Sequence, residues 1–194
     1  MNFNQIKSAL KNKTVGIAGC GGLGSNCAVA LARVGVGKLI VCDFDIIVES
    51  NLNRQYYFYD QLGLKKAPTL KANINKINPN TYVEAYDIKL NAALITKLFA
   101  DCDVIVEAFD QADMKKIIIE TVLSEMPDKF IVAAIGMAGW GQNNKIHTQQ
   151  HGKLFVCGDG VSEVSDDLPP LAPRVGICAN MQANTVLELL LKNA

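Results

Sequence analysis

The sequence predicts an α/β fold: a mostly parallel sheet flanked by helices, with a short antiparallel extension after residue 140. Three observations carry this. Short apolar runs alternate with segments of helical period through residue 135, the pattern of a parallel sheet covered by helices. The earliest apolar run leads into the glycine-rich stretch GIAGCGGLGS, which opens a helix. After Gly136 the alternation gives way to two strand-like runs, a stretch rich in Gly, Asp and Pro, and one long closing segment of helical period.

Taken in order, Lys7 to Asn12 reads as the end of a short helix. Thr14 to Gly19 is an apolar strand. Leu23 to Val34 has helical spacing and is stopped by Gly35 and Gly37. Leu39 to Cys42 is a second strand, closed by Asp43. Strand, glycine turn, helix and strand make a βαβ unit, so the sheet is Rossmann-like. Asp43 to Gln61 is long and polar for a loop in a compact domain, and such loops are usually functional. A helix is expected from Ala67 to Ile77, with Pro68 in its first turn and Asn78-Pro79 ending it. Tyr82 to Tyr86 is a strand, Ala92 to Phe99 a helix, Val104 to Glu107 a strand, Ala112 to Ser124 a helix, and Phe130 to Ile135 a strand. Lys145 to Gln149 and Leu154 to Cys157 read as short antiparallel strands. Gly158 to Pro173 reads as a loop, and Val175 to Leu191 as the closing helix.

The 194 residues suit one domain, 49% of them apolar, with 19 basic side chains balanced by 19 acidic ones. No basic stripe marks a nucleic-acid partner. No apolar run is long enough to span a bilayer, and the start of the chain lacks the apolar core of a signal peptide. The expectation is a cytoplasmic protein. Its six cysteines form no C-x-x-C pair and read as buried thiols in a reducing compartment.

Gly19, Gly21 and Gly24 satisfy G-x-G-x-x-G, and Asp43 follows at the spacing of a ribose-binding acid, about 20 residues on. These features fit NAD and ATP alike. The stretch SNLNRQ, residues 50 to 55, favours a triphosphate. The planar fork of Arg54 pairs with phosphate oxygens, and Asn51 and Asn53 add donors or brace the loop. Lys66, or its neighbour Lys65, stands where a lysine reaches a phosphate. Asp110 follows the apolar run VIVEAF at the ligand end of a strand. It is a candidate Mg²⁺ ligand, or else the N-cap of the next helix. Glu107 and Asp113 are the weaker acids nearby. With two histidines and no nucleophile elbow, the chain has little material for His-based chemistry.

Together GCGGLGS, DFD at 43 to 45, SNLNRQ, KKAP at 65 to 68, INPN at 77 to 80 and FDQ at 109 to 111 resemble the ThiF/MoeB/HesA group of ubiquitin-activating-type adenylating enzymes. GMAGWG and LAPRVGI extend the likeness, which is greatest to the short ThiF-type members. The resemblance implies binding of MgATP and adenylation of the C-terminal glycine of a small ubiquitin-like sulfur carrier ending in Gly-Gly. It assigns Gly22 to the glycine loop, Asp43 to the ribose, Asn51, Arg54 and Lys66 to the phosphates, and Asp110 to magnesium. Arg54, Lys66 and Asp110 become the catalytic set. It also implies a homodimer. Many relatives carry a zinc site of two C-x-x-C pairs, which this chain lacks, so no zinc is expected. Relatives place an arginine in the N-terminal region, where this chain has only Lys7, Lys11 and Lys13. The other readings are an NAD-dependent oxidoreductase, a non-catalytic nucleotide-binding module, and a relative acting on a molybdopterin-type carrier or on tRNA.

Overall fold

The structure, a computed structural model, describes residues 1–192. The elements run α1 (Phe3–Leu10), β1 (Thr14–Ala18), α2 (Gly22–Val34), β2 (Lys38–Cys42), α3 (Lys66–Ile77), β3 (Tyr82–Tyr86), α4 (Ala92–Leu98), β4 (Val104–Glu107), α5 (Ala112–Glu125), β5 (Phe130–Ala134), β6 (His147–His151), β7 (Leu154–Gly158) and α6 (Ala172–Lys192). The seven strands form one sheet in the order β3-β2-β1-β4-β5-β7-β6.

Alternation along the strands sorts the core onto two faces. Val15, Ile17, Leu39, Val41, Val104, Val106 and Val132 face one side, where they meet apolar side chains of α1, α2, α3 and α6. Ala18, Ile40, Cys42, Ile105 and Ile131 face the other, under Ile95 and Phe99 of the α4 region and Met114, Ile118 and Val122 of α5. Burial on both faces explains why the central strands are continuous apolar runs.

The pair after residue 140 is antiparallel as expected, β6 against β7, and two details of the other elements change. β7 lies parallel to β5 and extends the main sheet, and only β6 runs antiparallel, at the edge. Lys145 belongs to a 3-10 turn, Asn143–Lys145, so β6 starts at His147. Helix α1 runs from Phe3 and ends at Leu10, two residues before Asn12. Its cap is reciprocal: Asn2 Oδ1 accepts from the Gln5 amide, and Gln5 Oε1 accepts from the Asn2 amide.

The order of strands reverses between β1 and β4: from β1 the chain steps outward to β2 and β3, then crosses back to set β4 on the other side of β1. Ligands of open α/β sheets bind at this switch, outside the carboxyl ends of the strands. The glycine loop, Asp43 and Asp110 all lie at that end, after β1, β2 and β4 respectively.

Candidate functional site

The glycine loop makes the tightest turn in the site. Gly19 has a positive φ of 96°. A Cβ on Gly24 would lie 1.9 Å from the Gly19 carbonyl oxygen, a backbone clash that no rotamer relieves. Gly24→Ala is therefore expected to cost about 2–3 kcal/mol, at the upper part of the overpacking range. Chemical denaturation reads it directly, and a loss under about 0.5 kcal/mol would contradict the geometry. Gly21 is the N-cap of α2 and offers no side chain, so the amides of Gly22, Leu23 and Gly24 have no intrahelical acceptor. Such an end, carrying the positive pole of the helix, attracts phosphate.

Ser25 and Asn26 join this loop to SNLNRQ. The Ser25 hydroxyl donates to Gly21 O at 2.6 Å and accepts from the Tyr56 amide at 2.9 Å. The Asn26 amide donates to Gly22 O at 2.7 Å and to Arg54 O at 2.9 Å. A Cβ on Gly22 would stand 3.3 Å from Arg54 Cγ and 2.9 Å from Val175 Cγ1. Only glycine lets the arginine stem lie this close to the loop. Arg54 Nη1 donates to Ser50 O at 3.0 Å and Asn53 Oδ1 at 2.7 Å, which fixes its direction. Asn51 plays a bracing part here: its Oδ1 accepts from the Val48 amide at 3.2 Å, and its carbonyl accepts from the Arg54 and Gln55 amides. Gln55 is buried beside Gly21, and among the described residues its Oε1 has no partner.

Asp43 is 9% exposed and held on both oxygens, by the Cys20 amide at 2.6 Å and the Asp45 amide at 2.8 Å. Burial raises its carboxyl above the usual carboxylate value, against the lowering pull of those amides and of Lys66. The two candidate lysines separate cleanly. Lys65 turns to Asp87 and the Phe44 carbonyl. Lys66, the first residue of α3 and 6% exposed, turns inward, with Nζ 2.8 Å from Asp45 Oδ2. Tyr57 completes this corner. Its hydroxyl donates to Cys20 O at 2.8 Å and lies 3.3 Å from Lys66 O. Burial pushes its phenol well above the ordinary value.

Asp110 is exposed and makes no hydrogen bond or ion pair among the described residues. The cap alternative does not describe it: the N-cap of α5 is Gln111, which makes no side-chain cap bond. One free carboxylate at the ligand end of β4 fits Mg²⁺, which is usually held by one or two carboxylates together with substrate phosphates. Among the described residues, no three His, Cys, Asp or Glu side chains gather as a self-sufficient metal cage. All six cysteines are free and buried, and burial raises the thiols of Cys20, Cys27, Cys42, Cys102, Cys157 and Cys178.

The segment after β7 is strapped down at both ends. Asp159 forms a buried ion pair with Arg174 of α6, with side-chain exposures of 3% and 4%. Burial opposes ionisation of Asp159, but the Ser162 hydroxyl and amide, the Val161 amide and the Arg174 guanidinium outweigh it and hold the carboxyl at about 2. At the far end Pro169 O accepts from the Gly139 amide at 2.9 Å, and Pro170 O accepts from Asn53 Nδ2 at 3.2 Å. The residues between, Glu163 to Asp167, are exposed. The loop from Gly158 to Pro173 is thus pinned to SNLNRQ.

The structure gathers Gly19, Gly21, Gly22, Gly24, Asp43, Arg54 and Lys66 into one linked group. Asp110 stands apart on the neighbouring strand end, with no hydrogen bond or ion pair to them among the described residues. Sequence reasoning missed Ser25, Asn26, Asp45 and Tyr57 as parts of the site. Their signal was position alone: two polar residues right after the glycines, and a second acid in DFD. A groove lies away from this group. It is about 680 Å³ and runs along the outer face of α6 beside Thr148.

Among known proteins, the model of the ThiF family matches residues 4–194. The chain is 30% identical over 198 residues to the adenylyltransferase and sulfurtransferase UBA4 of Scheffersomyces stipitis, covering 97% of this chain and 44% of that protein. It is 25% identical over 189 residues to ubiquitin-like modifier-activating enzyme 5 of Bombyx mori, covering 92% of this chain and 47% of that one. The chain spans less than half the length of these relatives. Its fold matches that of the E. coli tRNA N6-threonylcarbamoyladenosine dehydratase TcdA in complex with ATP, with a TM-score of 0.87 at 19% identity over 97% of this chain and 90% of that one. The glycine loop, the buried Asp43 and the arginine loop sewn to them therefore stand in a chain that belongs to the ThiF family.

Proposed function

We propose that the chain is an ATP-dependent adenylyltransferase of the ubiquitin-activating type. It acts on the C-terminal glycine of a small ubiquitin-like sulfur carrier of the ThiS kind, in thiamine biosynthesis, as a cytoplasmic homodimer. The observation that carries this reading is the bond from Asn26 to both Gly22 O and Arg54 O, which sets an arginine directly against a phosphate-binding loop. A triphosphate carries more negative charge than the pyrophosphate of NAD and makes fuller use of a cation there. The Scheffersomyces stipitis relative is an adenylyltransferase and sulfurtransferase, and the Bombyx mori relative a ubiquitin-like modifier-activating enzyme, which supports the reading.

In this reading Asp43 accepts from the ribose hydroxyls, and the free amides of Gly22 to Gly24 hold phosphate oxygens. Lys66 exchanges Asp45 for phosphate, and Arg54 turns its unused guanidinium nitrogens to the same group. A carboxylate oxygen of the carrier attacks the α-phosphorus. The bond from that phosphorus to its bridging oxygen breaks, and pyrophosphate leaves with the electron pair. Arg54 and Lys66 stabilise the charge that grows on the leaving group. Mg²⁺, held by Asp110 and the phosphates, would neutralise part of the same charge when bound. No covalent link to the protein forms.

ATP with Mg²⁺ is expected to raise the melting temperature and NAD to leave it unchanged. At a hundred times its Kd a ligand adds about 2.7 kcal/mol of stability, worth roughly 5–10 °C for a chain of this size. Stabilisation by NAD alone would overturn the nucleotide assignment. Pyrophosphate exchange against a panel of Gly-Gly-ended carriers then tests the substrate. Exchange with a molybdopterin-type carrier, or ATP turnover only with tRNA, would replace the ThiS assignment.

A further inference from the structure

Glu107 is the last residue of β4 and has no exposed surface. Its carboxylate accepts from the Phe109 amide at 2.7 Å and from Lys115 Nζ at 2.7 and 3.0 Å. Lys115 Nζ also donates to Ala134 O, at the end of β5. The Glu107 carbonyl in turn accepts from Gln182 of α6 at 2.8 Å. Four elements therefore meet at this residue: β4, α5, β5 and α6.

The proposed reaction has no direct use for this pair, since the carboxylate is sealed from the ligand side. A buried ion pair also gives little net stability over apolar side chains of the same volume. What the pair does is geometric. The bond from Glu107 Oε1 to the Phe109 amide fixes the turn Ala108-Phe109-Asp110. That turn is also the wall behind the glycine loop. A Cβ on Gly19 would lie 2.7 Å from Ala108 O and 3.4 Å from Phe109 Cδ1, and one on Gly24 would lie 3.2 Å from Ala108 Cβ. Asp110, one residue further, has no bond of its own to set its direction.

We infer that Glu107 and Lys115 are positioning residues. They hold the turn that aims Asp110 at the metal-bound phosphates and seats the glycine loop against β4. The inference rests on the adenylation reading, because it needs Asp110 to serve the magnesium of the nucleotide. Lys115 supplies the rigidity: with three acceptors around its ammonium it locks the first turn of α5 to the ends of both flanking strands.

The test is the Mg²⁺ concentration that gives half-maximal stabilisation by ATP, read from melting curves without any carrier. Glu107→Gln keeps the bond to Phe109 but loses the ion pair, and Glu107→Asp keeps the charge but falls short of the turn. Either variant is expected to need about tenfold more Mg²⁺, the usual effect of disturbing a group behind a metal ligand. Asp110→Ala is expected to weaken the Mg²⁺ dependence, and adding Glu107→Gln to it should change nothing further. A purely structural role would lower the melting temperature in both backgrounds and leave the Mg²⁺ midpoint alone. The inference falls if the variant that folds keeps the wild-type midpoint, or if Glu107→Gln shifts it equally when Asp110 is absent. If wild type itself shows no response to MgATP, the adenylation reading falls and takes the inference with it.

Discussion

Asp110→Ala is expected to abolish carrier-dependent pyrophosphate exchange, by at least about 10²–10³-fold, the loss seen when one preorganised electrostatic group is removed from a reacting centre. The same substitution should move the melting temperature by no more than roughly 2 °C. Asp110 is exposed, bonds to nothing among the described residues and caps no helix. Exposed changes of this kind stay within about 0.5 kcal/mol. An N-cap role would give the opposite pattern, a cost of about 0.5–2 kcal/mol with activity kept. Both quantities are measured on one protein, so a stability loss without an activity loss sinks the assignment.

Arg174→Ala is expected to be the most damaging single change to stability. It strips the partner from Asp159 in a pair whose side chains are almost sealed from water. Breaking such a pair costs about 3–5 kcal/mol, or roughly 6–20 °C in melting temperature. Acid should expose the same pair in the wild type. The Asp159 carboxyl is held at about 2, below its ordinary 3.8. The stability it contributes is full above pH 3.8 and is lost as pH falls through about 2. Arg174→Ala should flatten this acid limb only in part, since the Ser162 hydroxyl and amide and the Val161 amide also hold the carboxyl down, and the change is measured as the slope of stability between pH 4 and 2. A variant that melts within about 2 °C of wild type would show that the strap contributes little.

Most of the architecture was legible because its signals are local. The period of Leu23 to Val34, the glycines that stop it, and the apolar runs of β1, β2, β4 and β5 need no knowledge of partners. The direction of β7 was not legible. Leu154–Gly158 looks the same whether it pairs with β6 alone or also joins β5, and the choice is made by a connection through residues 135 to 153. The site divides the same way. Gly19, Gly24, Asp43 and Arg54 carry motifs, and the structure draws them together. Lys65 and Lys66 were indistinguishable as neighbours until the first turn of α3 sent one to Asp87 and the other to Asp45. Glu107 looked like a spare acid, since nothing in VIVEAF says that Lys115 reaches it from the next helix. Nothing in the stretch Gly158 to Pro173 tells Asp159 from Glu163, Asp166 and Asp167, and only the fold brings Arg174 to it.

The position of β1 in the strand order bears on how the chain is made. Residues emerge from the ribosome from the N-terminus, so β1, β2 and β3 are available to pair while β4 is still inside the exit tunnel. In the finished sheet β1 sits between β2 and β4. Until Val104–Glu107 arrives, one whole edge of Thr14–Ala18 has its backbone amides and carbonyls unpaired, beside the apolar Val15 and Ile17. An open, apolar edge is a template for a second nascent chain. A pause in translation between Tyr86 and Val104 would prolong that exposure, so this interval is where a chaperone bound to the emerging chain would protect it most.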